Sequence, residues 1–114
     1  MWDIEFYRTE NDIVPVSDFI EEMDVKMQAK IFREIDILQE LGIELRFPHS
    51  RALGDGLFEL RISSRGNISR IIYFHFNNNK FVLLHGFVKK TQKTPRKEIE
   101  AAKNYMNDYR RRNE

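Results

Sequence analysis

Apolar and polar residues alternate from Trp2 to Tyr7, with Trp2, Ile4 and Phe6 on one side and Asp3, Glu5 and Tyr7 on the other. A period of two predicts a half-buried strand. Asn11-Asp12 breaks the pattern. Pro15 suits a helix first turn, where no N–H is needed, and Ser17 or Asp18 is an alternative cap. A short helix to about Met23 is expected. Asp24 suits as cap of the next helix. There Met27, Ile31, Ile35, Leu38 and Leu41 recur at three- and four-residue steps, one helical stripe. Gly42 follows and suits a left-handed residue just past the helix end. Two helices joined by a tight corner predict a helical hairpin.

Arg46 to Asp55 reads as a polar connection punctuated by Pro48 and Gly54-Asp55-Gly56, within which Arg51-Ala52-Leu53 is a candidate short strand. Phe58, Leu60 and Ile62 then alternate with Glu59, Arg61 and Ser63. Ile68 to Phe76 is nearly all apolar or aromatic, as suits a central strand buried on both faces, and Phe81 to Val88 is similar. Ser64–Asn67 and Asn77–Lys80 are hairpin-length links rich in turn formers, so the strands form an antiparallel meander. Thr94 is a good cap and Pro95 a good first residue for a last helix. Ile99, Ala102, Met106 and Tyr109 form its stripe, and Arg110-Arg111-Arg112 lies at its C-terminal end, where the dipole favours cations. The expected fold class is α+β, one domain over residues 1–114: N-terminal strand, helical hairpin, antiparallel β-meander packed on helices, C-terminal helix.

Nine Phe, four Tyr and one Trp in 114 residues supply enough apolar side chain for a folded core. Without cysteine, disulfides and thiolate metal sites are excluded. The N-terminus carries acids where a signal peptide carries bases, and the apolar runs are too short to span a bilayer. A soluble cytoplasmic protein without a membrane role is expected. The net charge of +1 hides an asymmetry: residues 1–60 hold 6 Lys/Arg against 14 Asp/Glu, and residues 61–114 hold 13 against 4. Such a split points to a basic surface for a polyanion, unless the acidic helices neutralise it in space.

No glycine-rich phosphate loop, HExxH, Cys/His set or GxSxG is present, which argues against a metalloenzyme or a serine hydrolase. No cofactor is expected. What remains is basic. Arg61 and Arg70 flank one short hairpin loop, Arg65 lies in that loop, and Lys89, Lys90, Lys93, Arg96 and Lys97 cluster where the last strand runs out. Neighbouring strands would bring these cations together. Arg70 interrupts an apolar strand, so it needs either a carboxylate, with Glu59 across the hairpin as candidate, or a site. Arg61 has the opposite parity to Leu60 and Ile62 and points away from their core. It is either a solvated residue or a functional one, and the Lys89–Lys97 run is open to the same two readings. His85 inside an apolar strand reads as a satisfied core histidine, and Tyr105 and Tyr109 as core. Phosphodiesters suit such a cluster, since cations supply most of the affinity and arginine offers a planar fork. RNA cleavage through its own 2′-OH requires positioning, charge stabilisation and proton transfer but no metal. A lysine crowded by cations, Lys89 or Lys90, could serve as base.

Gly56-Leu57-Phe58-Glu59-Leu60-Arg61-Ile62 resembles the LxELR strand of RelE/ParE superfamily toxins, and Ser69-Arg70-Ile71-Ile72-Tyr73 their following strand. The run from Leu83 to Pro95, LLHGFVKKTQKTP, is similar to a long signature of the HigB-like, phage-derived branch. The resemblance implies a RelE/ParE-like fold and the toxin of a type II toxin–antitoxin pair. It implies a metal-independent endoribonuclease, an mRNA interferase that cleaves mRNA on the ribosome, neutralised by a helix-turn-helix, HigA-like antitoxin through which alone it meets operator DNA. By position, Arg61 and Arg70 correspond to the phosphate-holding strand residues, and Lys89 or Lys90 to the basic residue ending the last strand. Arg65, Lys93, Arg96 and Lys97 are then the RNA-binding periphery. Thr91, Gln92 and Lys93 stand where relatives carry Tyr, His or Asp, so the acid and base stay open. The alternatives are a ParE-like non-catalytic gyrase inhibitor and a detoxified, antitoxin-binding regulatory module.

Overall fold

The alternating N-terminal run forms strand β1 (Asp3–Phe6), and the two helical stripes form α1 (Pro15–Glu21) and α2 (Val25–Leu41). A 3-10 turn (Gly42–Glu44) leads to β2 (Ser50–Gly54), β3 (Leu57–Ser64), β4 (Asn67–Phe76), β5 (Lys80–Lys89) and the last helix, α3 (Arg96–Asn113). The computed structural model describes residues 1–89 and 93–114.

Local chemistry accounts for most boundaries. Pro15 is the first residue of α1, with Val14 at the cap and no side-chain cap. Asp18 N already donates to Val14 O at 3.0 Å, so Ser17 and Asp18 lie inside the helix and neither caps it. Asp24 caps α2 as expected, its carboxylate accepting from Met27 N at 2.8 Å. Gly42 ends α2 with φ 58° and ψ −127°, positive but outside the left-handed helical region. The Trp2 ring occupies the place that a Cβ would take at Gly42, so backbone and packing both demand glycine there.

The sheet order is β1-β5-β4-β3-β2. Strands β2 to β5 form the antiparallel meander. β1 joins the far edge in parallel with β5, making the sheet mixed. The chain thus leaves one edge, crosses through α1 and α2, and re-enters at the other.

Strand parity divides the core in two. Leu60, Ile62, Ile71, Tyr73, Phe81 and Leu83 pack with Val16, Ile20, Met27, Ile31, Ile35 and Leu38 of α1 and α2. Leu57, Ile72, Phe74, Val82, Leu84 and Phe87 pack with Ala102, Met106 and Tyr109 of α3. β4 is buried on both sides, as its apolar run predicts. The β4–β5 ladder carries one irregularity. Ile72 pairs with His85 but Tyr73 pairs with Leu83, leaving Leu84 as an extra residue in β5. A bulge of this kind re-aims every side chain beyond it. It turns Phe87 and Lys89 toward the α3 side and Gly86 toward α1, where the Phe19 ring fills the space that a Cβ would take.

A candidate anion-binding site beside the last helix

On the α3 side of the sheet the apolar core stops short of the β3–β4 turn, and charged residues take over. Arg61 and Arg70 are directly opposed in the ladder. Like charges so placed repel. Glu59, two residues before Arg61 and on the same side, offsets this. Its carboxylate is 0% exposed and accepts from Arg70 Nη1 at 2.5 Å. Lys89 Nζ stands 4.0 Å from the same oxygen. The other oxygen accepts from the Thr94 hydroxyl. Arg51, exposed on β2, is the cross-strand partner of Glu59. Arg61 is half-buried and its guanidinium lies over the Phe47 ring, 5.1 Å from the centroid.

Four adjacent strands thus deliver four cations, Arg51, Arg61, Arg70 and Lys89, around one carboxylate. Three of their donors, Arg61 Nε, Arg70 Nε and Lys89 Nζ, are buried without a hydrogen-bond partner among the described residues. Burial pushes the Arg70 and Lys89 pKa values down. Glu59 opposes the shift, while the neighbouring arginines add to it. Buried cations in excess of their counter-charge are costly, and a bound anion would relieve the imbalance.

The ion pair expected as one reading of Arg70 is therefore present, and the cluster expected as the other reading is present around it. The two arrangements are one. Arg70 and Lys89 are buried, so the cluster meets solvent through Arg51 and Arg61.

The family described as Phage derived protein Gp49-like (DUF891) matches residues 18–107, which include every member of this cluster. The chain belongs to the phage-derived Gp49-like family. It is a family of RelE-like toxins, and membership is consistent with the role of a toxin in a toxin–antitoxin pair. No curated protein matches the chain. Among the described residues of this Gp49-like chain, no helix is long and apolar enough to cross a membrane.

Of the basic residues singled out in the sequence, Arg61, Arg70 and Lys89 come together. Lys90 lies outside the described residues. Arg65 is exposed in the β3–β4 turn, four residues past Arg61 and so roughly 13 Å along the strand. Lys93, Arg96 and Lys97 are exposed at the entry to α3. Lys93 and Arg96 line a groove there with Leu53, Thr94 and Lys103. Thr94 does not cap α3. The helix starts at Arg96 with Pro95 at the cap. The Thr94 hydroxyl donates to the Glu59 carboxylate instead, a charge-assisted bond stronger than one between neutral groups.

Two members were not foreseen as site residues. Arg51 was readable only as part of a candidate strand, and its place opposite Glu59 depends on register. Glu59 was foreseen as the partner of Arg70 but not as the hub for Lys89 and Thr94. His85 is half-buried and pairs through Nε2 with Glu98 Oε1 at 2.8 Å, a satisfied histidine between β5 and α3. Tyr109 is buried, and Tyr105 stacks on Tyr7.

Proposed function

We propose that this Gp49-like chain is the toxin of a type II toxin–antitoxin pair, HigB-like in activity: a metal-independent endoribonuclease that cleaves mRNA on the ribosome and so stops translation in the cytoplasm. The supporting observation is that four adjacent strands bring four cations together with one carboxylate, which pairs with Arg70 and Lys89, while three of their donors lack a hydrogen-bond partner among the described residues. Arg51 and Arg61 meet the RNA phosphate at the solvent-facing edge. Arg70 and Lys89 act from behind, where low polarity strengthens their field on charge that develops as the 2′-oxygen attacks phosphorus and the bond to the 5′-oxygen breaks. Positioning by the ribosome supplies the in-line geometry. The products are a 2′,3′-cyclic phosphate and a 5′-hydroxyl. A helix-turn-helix, HigA-like antitoxin is the neutralising partner, and operator DNA is met only through it.

The burial of Arg70 and Lys89 favours a second reading, a ParE-like inhibitor that acts on gyrase by binding alone. Programmed ribosomes carrying a translated mRNA, incubated with the protein, separate the two. Cleavage ends bearing cyclic phosphate are expected, slowed at least about tenfold by Arg61→Gln, since one lost charge-assisted contact is worth about 1.5–3 kcal/mol. Intact mRNA together with gyrase-dependent DNA breaks would reject the nuclease.

A further inference from the structure

Beside the cluster an aromatic ring is left in water. Phe47, between the 3-10 turn and β2, is 67% exposed. Burying a phenylalanine is worth about 1.5–3 kcal/mol, which the chain forgoes here. The ring is nevertheless held in place. The Arg61 guanidinium lies over it at 5.1 Å, and Arg61 N donates to His49 O at 2.9 Å, tying the connection to the ladder position opposite Arg70. Arg46 Nη1 donates to Ile43 O at 3.0 Å, and His49 N and Ser50 N both donate to Arg46 O. The segment around Phe47 is thus a hydrogen-bonded turn that presents its aromatic residue outward, against one of the two solvent-reaching cations of the site.

We propose that Phe47 is a stacking platform for an unpaired nucleobase of the RNA whose phosphate Arg61 and Arg51 hold. The inference rests on the RNA reading above and adds a residue to it. Single strands are gripped by cations along the backbone and by aromatic side chains under splayed bases, and both elements meet here within one cation–π contact. A duplex would keep its base faces stacked and leave the ring unused. The selected substrate is therefore single-stranded, with at least one base turned out at the held phosphate.

The test measures binding of the full-length protein to a short single-stranded RNA and to the same RNA with abasic nucleotides, over a salt series. Phe47→Ala is expected to weaken binding to intact RNA about 5- to 100-fold, the range for one stacked base, without changing the salt slope. Phe47→Tyr should restore it. On abasic RNA, wild type and Phe47→Ala should bind alike. Arg61→Gln should instead flatten the salt slope by about 0.7, one phosphate's share for a single strand. Wild-type affinity in Phe47→Ala, or an equal loss on abasic RNA, overturns the stacking role even if Arg61→Gln behaves as stated. A Phe47→Ala variant that keeps its RNA affinity but loses antitoxin assigns the ring to protein docking and likewise overturns it. Failure of the wild type to bind RNA at any salt overturns this inference, while the reading beneath it is decided by cleavage on programmed ribosomes.

Discussion

The two faces of the sheet are built from the same strands, yet they do different work. On the α1/α2 face the polar groups are few and small. Ser50 and Tyr73 share a hydroxyl–hydroxyl bond of 2.6 Å, and Ser69 points to the Met23 sulfur at 3.7 Å. His75 packs between the Trp2 and Phe81 rings, its Nε2 buried without a hydrogen-bond partner among the described residues, and the rest of that core is hydrocarbon or aromatic ring packed against two helices. The α3 face has one helix to cover it, and that helix covers only part. Under α3 the packing is just as apolar. Beyond its N-terminal end the same alternation continues with Glu59, Arg61, Arg70 and Lys89 in place of Leu and Ile. The comparison shows how a site arises where the apolar helix ends but burial does not: the strand pattern persists, and only the side chains change from packing to charge.

Substitutions can break or sharpen this contrast. The largest effect is expected from Arg70→Met. It leaves the fully buried Glu59 without its short partner and should cost about 3–5 kcal/mol in urea unfolding. The triple variant Glu59→Leu/Arg70→Met/Lys89→Met, which removes the carboxylate together with both cations that pair with it, should recover most of that stability while RNA binding stays lost, which separates what holds the fold from what holds the ligand. A single variant as stable as the wild type would show that Arg70 is not an internal pair. Next comes Leu60→Ala on the opposite face, at a residue 0% exposed. Loss of its packing should cost about 3 kcal/mol and leave the salt dependence of RNA binding unchanged. A changed slope would mean that the two faces are coupled.

The smallest effect is a pH dependence. The Lys89 pKa is lowered in the folded protein, so between that value and its unfolded value of about 10.4 the unfolded chain binds more protons. Stability contributed by this residue therefore rises with pH through that window, and the full cost of burying the ammonium is present below it. Lys89→Met should remove the rise and make the protein more stable at neutral pH. Tyr7 opposes the trend. Burial and the neighbouring Asp108 carboxylate push its pKa up to about 12, so its contribution is complete below about 10 and is lost as pH climbs through 12. Unfolding midpoints from neutral to alkaline pH, compared with Lys89→Met and Tyr7→Phe, resolve the two.

Much of this was legible because it is local. A period of two or of three to four residues states which side chains share a face, and Asp24 and Pro15 mark helix starts by chemistry that reaches no more than one turn. That the strands of Arg61 and Arg70 pair was legible for the same reason, since a short hairpin link joins them, while the direct opposition of the two arginines came from the register. Thr94 shows where local chemistry fails. It has the credentials of a cap, but a buried carboxylate 35 residues earlier in the chain claims its hydroxyl.

By itself, the amino-acid sequence determined the α+β order, the two apolar stripes of the sheet and the concentration of positive charge in the second half. Only the tertiary structure decided that one extra residue at Leu84 would turn Lys89 toward Arg70, that Arg51 would face Glu59 across a short edge strand, and that the central cations would be buried while Arg51, Arg61 and Phe47 meet the solvent. The reason is physical. Periodicity is a property of neighbours along the chain, whereas register, bulges and burial are settled by what each strand finds beside it and above it once folded.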